Sequence, residues 1–209
     1  DDADKGRSPL REVLQDHRAG LFVGAMVSIV GVVANFTFVV FLTSQAVSHL
    51  GISASSALFS STLASAILIF GAPFAGRLSD SIGRKPMIIF TAAGFAFCGY
   101  PLYSLATSTY GSVTNLAIAQ IGESILHCSH LAVLPTFLAE LFPTRVRSTA
   151  VSITYGSVVA VFGGLTPFIA LNLIQMSGNL AVPGIMVSIA GVASSVTVLI
   201  VRSRTTAAL

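Results

Sequence analysis

Four polar side chains interrupt one long apolar stretch of this chain: Gln120, Glu123, His127 and His130. On a helix turning about 100° per residue they fall within an arc of about 80°, and at about 1.5 Å rise they form a stripe about 15 Å long. A carboxyl followed by two imidazoles can hand on a proton, since imidazole changes charge near neutral pH. The same groups can satisfy one another and neighbouring helices by hydrogen bonds. They can also offer donors to a metal ion, although no second stretch supplies an obvious matching set. Of the acidic residues, Glu123 alone lies within an apolar run; the others fall in the N-terminal linker or in charged connections. If that run crosses a bilayer, an ionised carboxylate there costs about 2.5–3.5 kcal/mol or more. Proton coupling, structural hydrogen bonding and metal binding are therefore three open readings of the stripe.

The elements that must hold these groups are long and apolar. Hydrophobic residues make up 54% of the 209, charged residues 9%, and mean hydropathy is +0.86. A soluble domain carries roughly 25% charged residues, so too little polar surface is available to cover a soluble fold. Six stretches of about 20 residues, each enough to cross a core about 30 Å thick, are expected at 20–43, 55–76, 86–106, 113–141, 149–174 and 181–201. The runs are continuous rather than alternating, which predicts helices and excludes barrel strands. The fold class is thus all-α and polytopic, with residues 1–19 a linker, 20–201 the transmembrane domain and 202–209 a tail. Ser8 and Pro9 predict a short capped helix in the linker.

The eleven cationic residues sort by side. Lys5, Arg7, Arg11 and Arg18 precede the first run; Arg77, Arg84 and Lys85 lie between the second and third. Arg145 and Arg147 lie between the fourth and fifth, and Arg202 and Arg204 follow the last. The alternate connections carry none, so the cationic side is expected to be cytoplasmic, with both termini there, in a cell (inner) membrane. The net charge of +3 is explained by these loops and calls for no nucleic acid. Cys98 and Cys128 fall inside apolar runs and are expected as buried thiols rather than a disulfide. No phosphate-cradling loop is present, and no cofactor is expected. Asn35 and Thr37 in the first run, and Tyr155 and Asn172 in the fifth, are further polar candidates for a pathway lining. Gly24, Gly31, Gly156, Gly163 and Gly164 permit close helix approach or bending, and Pro167 is expected to kink the fifth helix.

Two cationic-side connections carry recognisable patterns. Gly76-Arg77-Leu78-Ser79-Asp80-Ser81-Ile82-Gly83-Arg84-Lys85 is expected as a tight loop between the second and third spans, its two glycines permitting the reversal. In it Asp80 is placed to pair with Arg84 or to accept from helix-terminal N–H groups. It resembles the signature loop of the major facilitator superfamily, G-x-x-x-D-x-x-G-R-K. Glu140-Leu141-Phe142-Pro143-Thr144-Arg145-Val146-Arg147 resembles the E-x-F-P-x-x-x-R element after the tenth span of sugar porters and metabolite:proton symporters. Continued as AELFPTRVRSTA, Tyr155 and FGGLTPFIA, it is most similar to the latter.

The resemblance implies that these six spans correspond to spans seven to twelve, two inverted three-helix repeats forming half of a twelve-helix carrier. A further six-helix half is then expected upstream. It also implies secondary active transport of a small polar metabolite, an organic acid or zwitterion, by alternating access with protons; no enzymatic activity is expected. By the same resemblance, Gly76, Asp80, Gly83, Arg84 and Lys85 would form a gate latch joined by Glu140, Arg145 and Arg147. The first and fourth spans would line the pathway, and the third and sixth would face lipid. The family patterns do not reach Glu123, His127, His130, Gln120, Asn35 or Tyr155, whose place in a proton or substrate pathway rests on the residues alone. Two rivals stay open: a membrane-embedded metalloenzyme using Glu123, His127 and His130, and a six-helix remnant that transports nothing.

Overall fold

A computed structural model describes residues 8–206, with side chains to residue 200. Lys5 and Arg7, and the side chains of Arg202 and Arg204, lie outside the described residues. Six helices are long and apolar enough to cross a membrane: Arg18–His49, Ala54–Ile82, Arg84–Thr107, Val113–Glu140, Arg147–Ser177 and Pro183–Ile200. The last continues as helix to Thr206, through the first part of the expected tail. They are called the first to sixth spans below. All described secondary structure is helical.

The helices run further than the apolar stretches because capping and glycine, rather than hydropathy, set their ends. The Ser53 hydroxyl accepts from Ser56 N and the Ser112 hydroxyl from Asn115 N, each at 3.2 Å, and these caps start the second and fourth spans. The second span does not stop at Gly76. It continues through Arg77 and Asp80 to Ile82, and Gly83 alone makes the reversal, at φ 100°, before the third span begins at Arg84. The expected two-glycine loop is therefore a helix end plus one residue. A non-glycine side chain is strained at that φ, and this explains why a single residue suffices. In the linker, Ser8 caps the helix Pro9–Asp16, as its sequence predicts, accepting from Arg11 N at 3.3 Å.

The first and fourth spans form the centre, each with 56% of its apolar window buried, against 17% for the second. The first packs on the fifth and sixth, the fourth on the second and third, and the third and sixth lie against each other. This pattern maps onto itself when the first three spans are exchanged with the last three. The fold is thus two inverted three-helix repeats, the lead helix of each seated among the trailing helices of the other. With no hydrophobic drive between helices in lipid, close backbone approach matters. A Cβ on Gly191 would stand 2.4 Å from Ala96 N, and one on Gly184 3.0 Å from Tyr100 Cα. Substitution there would force the third and sixth spans apart. The outer faces carry exposed Phe59, Phe70, Phe97, Phe168 and Ile189. Cys98 is also exposed on such a face, whereas Cys128 is buried, and both are free thiols; the expectation of two buried thiols fails for Cys98, which sits on the side of its helix away from the bundle.

Two spans contain π-helical turns that apolar periodicity does not announce: Phe36–Phe41 in the first and Val159–Gly163 in the fifth. A π turn widens the helix and leaves backbone groups to be satisfied by side chains. The second ends four residues before Pro167, whose ring cannot sit over the carbonyl of Gly163 in a regular α-helix. The expected distortion at Pro167 is real and is absorbed upstream as this wider turn. The two distorted segments meet: the Phe36 ring lies against Gly163, where a Cβ would be 2.8 Å away.

Candidate functional site

The polar stripe of the fourth span divides into two systems. Gln120 belongs to the first. Its Nε2 donates to Phe38 O at 3.0 Å and to Thr43 Oγ1 at 2.9 Å, and its Oε1 accepts from Ser60 Oγ at 2.6 Å. Thr43 in turn donates to Val39 O at 2.6 Å. Both carbonyls lie in the π turn of the first span, so Gln120 and Thr43 satisfy groups that the distortion frees. Every hydrogen-bonding atom of the Gln120 amide is thereby engaged in tying three spans together.

Glu123, His127 and His130 form the second system. Glu123 and His130 are each 1% exposed. Glu123 Oε1 lies 3.2 Å from His127 Nδ1, one helical turn on, and Ser124 Oγ approaches Glu123 Oε2 at 3.4 Å. The Glu123–His127 approach is close, yet its angle does not make a hydrogen bond, since both atoms lack a hydrogen-bond partner among the described residues. The two imidazoles have centroids 6.2 Å apart with planes at 55°. Both ring nitrogens of His130 are buried without a hydrogen-bond partner among the described residues. Unpaired buried polar atoms are costly, and three such side chains on adjacent turns mark the site. Among the described residues no three His, Cys, Asp or Glu converge as a metal-binding group.

His127 and His130 open onto a cleft of about 320 Å³. The first span contributes Ser28, Gly31, Asn35 and Phe36, the second Leu68, and the fifth Tyr155 and Val159. Four of the expected pathway residues (Asn35, His127, His130 and Tyr155) thus share one cavity, with Glu123 buried behind His127 and Gln120 in its separate network. Gly31 makes this possible: a Cβ there would stand 2.4 Å from His130 Cδ2. Gly24 performs the same service for Leu138 and Thr154, whereas Gly156 and Gly164 have open space before them. Asn172 does not reach the cleft; its Nδ2 donates to Phe168 O within its own helix. Thr37 is fully buried, and its hydroxyl has no hydrogen-bond partner among the described residues.

At the cationic side a second cleft of about 320 Å³ is lined by Ser79, Asp80, Gly83, Arg84, Lys85 and Glu140. Arg84, first residue of the third span, is ion-paired with Glu140, last of the fourth. The expected pairing of Asp80 with Arg84 is not made, because Asp80 lies on the last turn of a continuous helix and is exposed. Arg145 and Arg147 turn elsewhere. Arg145 Nη2 lies 3.5 Å from Glu12 Oε2 of the linker helix, and Arg147 Nε donates to Phe142 O at 3.4 Å. Val13 of the linker helix is buried with Phe142, Val146 and Ala150, and the His17 ring meets Phe142 edge-on at 6.3 Å. The linker helix is consequently part of the fold. Its Glu12 escaped sequence reasoning, although a carboxylate one residue before an apolar Val13 was the available signal.

Compared with known proteins, residues 21–208 match the Major Facilitator Superfamily model. The chain is 28% identical over 191 residues to the ectoine/proline transporter of Corynebacterium glutamicum, covering 90% of this chain and 38% of that protein. It is 30% identical over 141 residues to the citrate-proton symporter of Klebsiella pneumoniae, covering 68% of this chain and 32% of that protein. It is 29% identical over 133 residues to the proline/betaine transporter of Escherichia coli K12, covering 62% of this chain and 26% of that protein. The chain therefore spans well under half the length of these relatives.

Proposed function

This chain belongs to the major facilitator superfamily, and from that membership we propose that it forms one six-helix half of a proton-coupled carrier. The carrier moves a small carboxylate-bearing metabolite, an organic acid or zwitterion, by alternating access across a cell membrane, with the cationic side of this chain in the cytoplasm. The other half is a second six-helix unit closing over the first and fourth spans. The observation that carries this reading is the shared cleft: His127, His130, Asn35 and Tyr155 face one cavity at mid-span, with the buried carboxyl of Glu123 behind them. The names of the relatives support the solute class, since ectoine, proline, betaine and citrate all bear carboxylates.

In this mechanism Glu123 passes the transported proton between the open side and the cleft. Its charge is costly in a lipid-dry site and tolerable in a wet one, so it gains and loses the proton as the cleft opens to either side. The Arg84–Glu140 pair holds the third and fourth spans together at the cationic side in one state and separates in the other. An exposed pair stabilises by only about 0–1 kcal/mol. It acts as a latch through the difference between states, not through its strength. Uptake by proteoliposomes containing the purified carrier with both six-helix halves present tests the reading. Radiolabelled proline or citrate is expected to accumulate under an inward proton gradient and to leak out when a protonophore collapses it. Accumulation indifferent to the protonophore would remove proton coupling, and no uptake of either solute would remove the assignment.

A further inference from the structure

We infer that His130 is the point at which the solute's carboxylate and the transported proton meet, so that each binds well only when the other is present. The inference rests on the carrier reading above and deepens it. It selects a solute with a single carboxylate, a zwitterion or monocarboxylate, over a polyanion.

Three observations lead to it. His130 is 1% exposed, lines the cleft, and has neither ring nitrogen hydrogen-bonded among the described residues. An imidazole that packs for structural reasons alone would donate one N–H to a carbonyl or hydroxyl; both nitrogens of this one are buried beside the cleft without such a partner among the described residues. Its seat is also prepared, because Gly31 leaves the space that the ring occupies. Finally, the residues lining the cleft include no Lys or Arg. A carboxylate entering this wall meets imidazole as the group able to become cationic.

The surroundings of His130 bear on its charge. On its own helix stand His127, at 6.2 Å between ring centroids, and beyond it Glu123. The fifth span contributes the phenol of Tyr155; the first contributes Ser28, Gly31 and Asn35, and the second Leu68, none of them charged. An imidazolium here without a counter-charge is expensive, and Glu123 is turned toward His127. A carboxylate entering the cleft supplies the counter-charge, and a proton from the open side, passed on by Glu123, then completes an imidazolium–carboxylate pair. No bond other than N–H forms, and the proton leaves with the solute when the pair meets water on the far side. One imidazolium matches one carboxylate. The aromatic ring of Tyr155 suits the cationic end of a zwitterion, and the wall's second imidazole, His127, is set against Glu123 rather than offered to a second carboxylate.

Linkage makes the test direct, since solute affinity and proton affinity must change by the same factor. Binding of proline to the purified carrier, both halves present, in weakly buffered detergent solution is expected to take up protons. Its Kd should rise at least ~10-fold between pH 5.5 and 7.5, within the usual range of coupling. Prolinamide, which lacks the carboxylate, is expected to bind without proton uptake, and citrate to bind more weakly than proline. His130→Gln should abolish the pH dependence of proline binding, and His127→Gln should keep it. Gly31→Ala, which pushes on the ring, should weaken binding while leaving its pH dependence in place. Proline binding by the wild type with no proton uptake overturns the inference while leaving the carrier reading intact, and so does unchanged pH dependence in His130→Gln. If citrate binds more tightly than proline, the single-carboxylate selection is wrong. Failure of the wild type to bind any of these solutes removes the carrier reading and the inference together.

Discussion

At the scale of single residues, position in the bundle separates groups that look alike in the sequence. Gln120, Glu123, His127 and His130 form one stripe by helical spacing, and the structure splits it. Gln120 is spent on one carbonyl of a π turn and on the hydroxyls of Thr43 and Ser60, while both ring nitrogens of His130 have no hydrogen-bond partner among the described residues. The charged connections behave similarly. Spacing placed Asp80 beside Arg84, but Arg84 pairs with Glu140, which is distant in sequence and adjacent only after the third and fourth spans pack. Such a pairing cannot be read from one chain of letters, because it depends on which helix ends meet. If this pair is a latch, Arg84→Glu and Glu140→Arg should each lower initial uptake at least ~10-fold while shifting stability by under ~1 kcal/mol. The double exchange, read by the same uptake assay, should recover most of the rate; a double variant as slow as either single one would rule the latch out.

At the scale of elements, the number, type and order of helices were legible because long apolar runs and one-sided cations have no other stable arrangement in a bilayer. Their ends were less so, since Ser53, Ser112 and Gly83 fix them by capping and by φ rather than by hydropathy. The π turn at Val159–Gly163 had a signal in Pro167. The one at Phe36–Phe41 had none, because its stabilising partner, Gln120, comes from another span. Its dependence on that partner is measurable. Gln120→Leu leaves the Phe38 carbonyl without its donor and should lower the unfolding free energy by about 1–3 kcal/mol. Asn172→Leu, which loses a bond only within its own exposed helix turn, should stay within about 0.5 kcal/mol. Thermal unfolding of both purified variants in one detergent compares them, and equal stability would mean that the Gln120 network does not hold the turn.

For the whole molecule, two inverted repeats place Glu123 and the histidines at mid-depth, where the first, second, fourth and fifth spans enclose one cleft. The family patterns at Gly76–Lys85 and Glu140–Arg147 announced this architecture but not the cleft, whose residues lie outside both. Orientation is open to direct labelling. In a cysteine-free background on intact cells, a cysteine replacing Ser48, beside His49, should react with an impermeant maleimide, and one replacing Ser81, beside Arg84, should not; the reverse result would turn the molecule over. The central claim is that the coupled proton passes through Glu123. In proteoliposomes bearing an inward proton gradient, wild-type protein should concentrate proline above the outside level. Glu123→Gln should bring it only to equilibrium while still exchanging labelled for unlabelled proline. Accumulation by Glu123→Gln equal to that of the wild type would contradict the account.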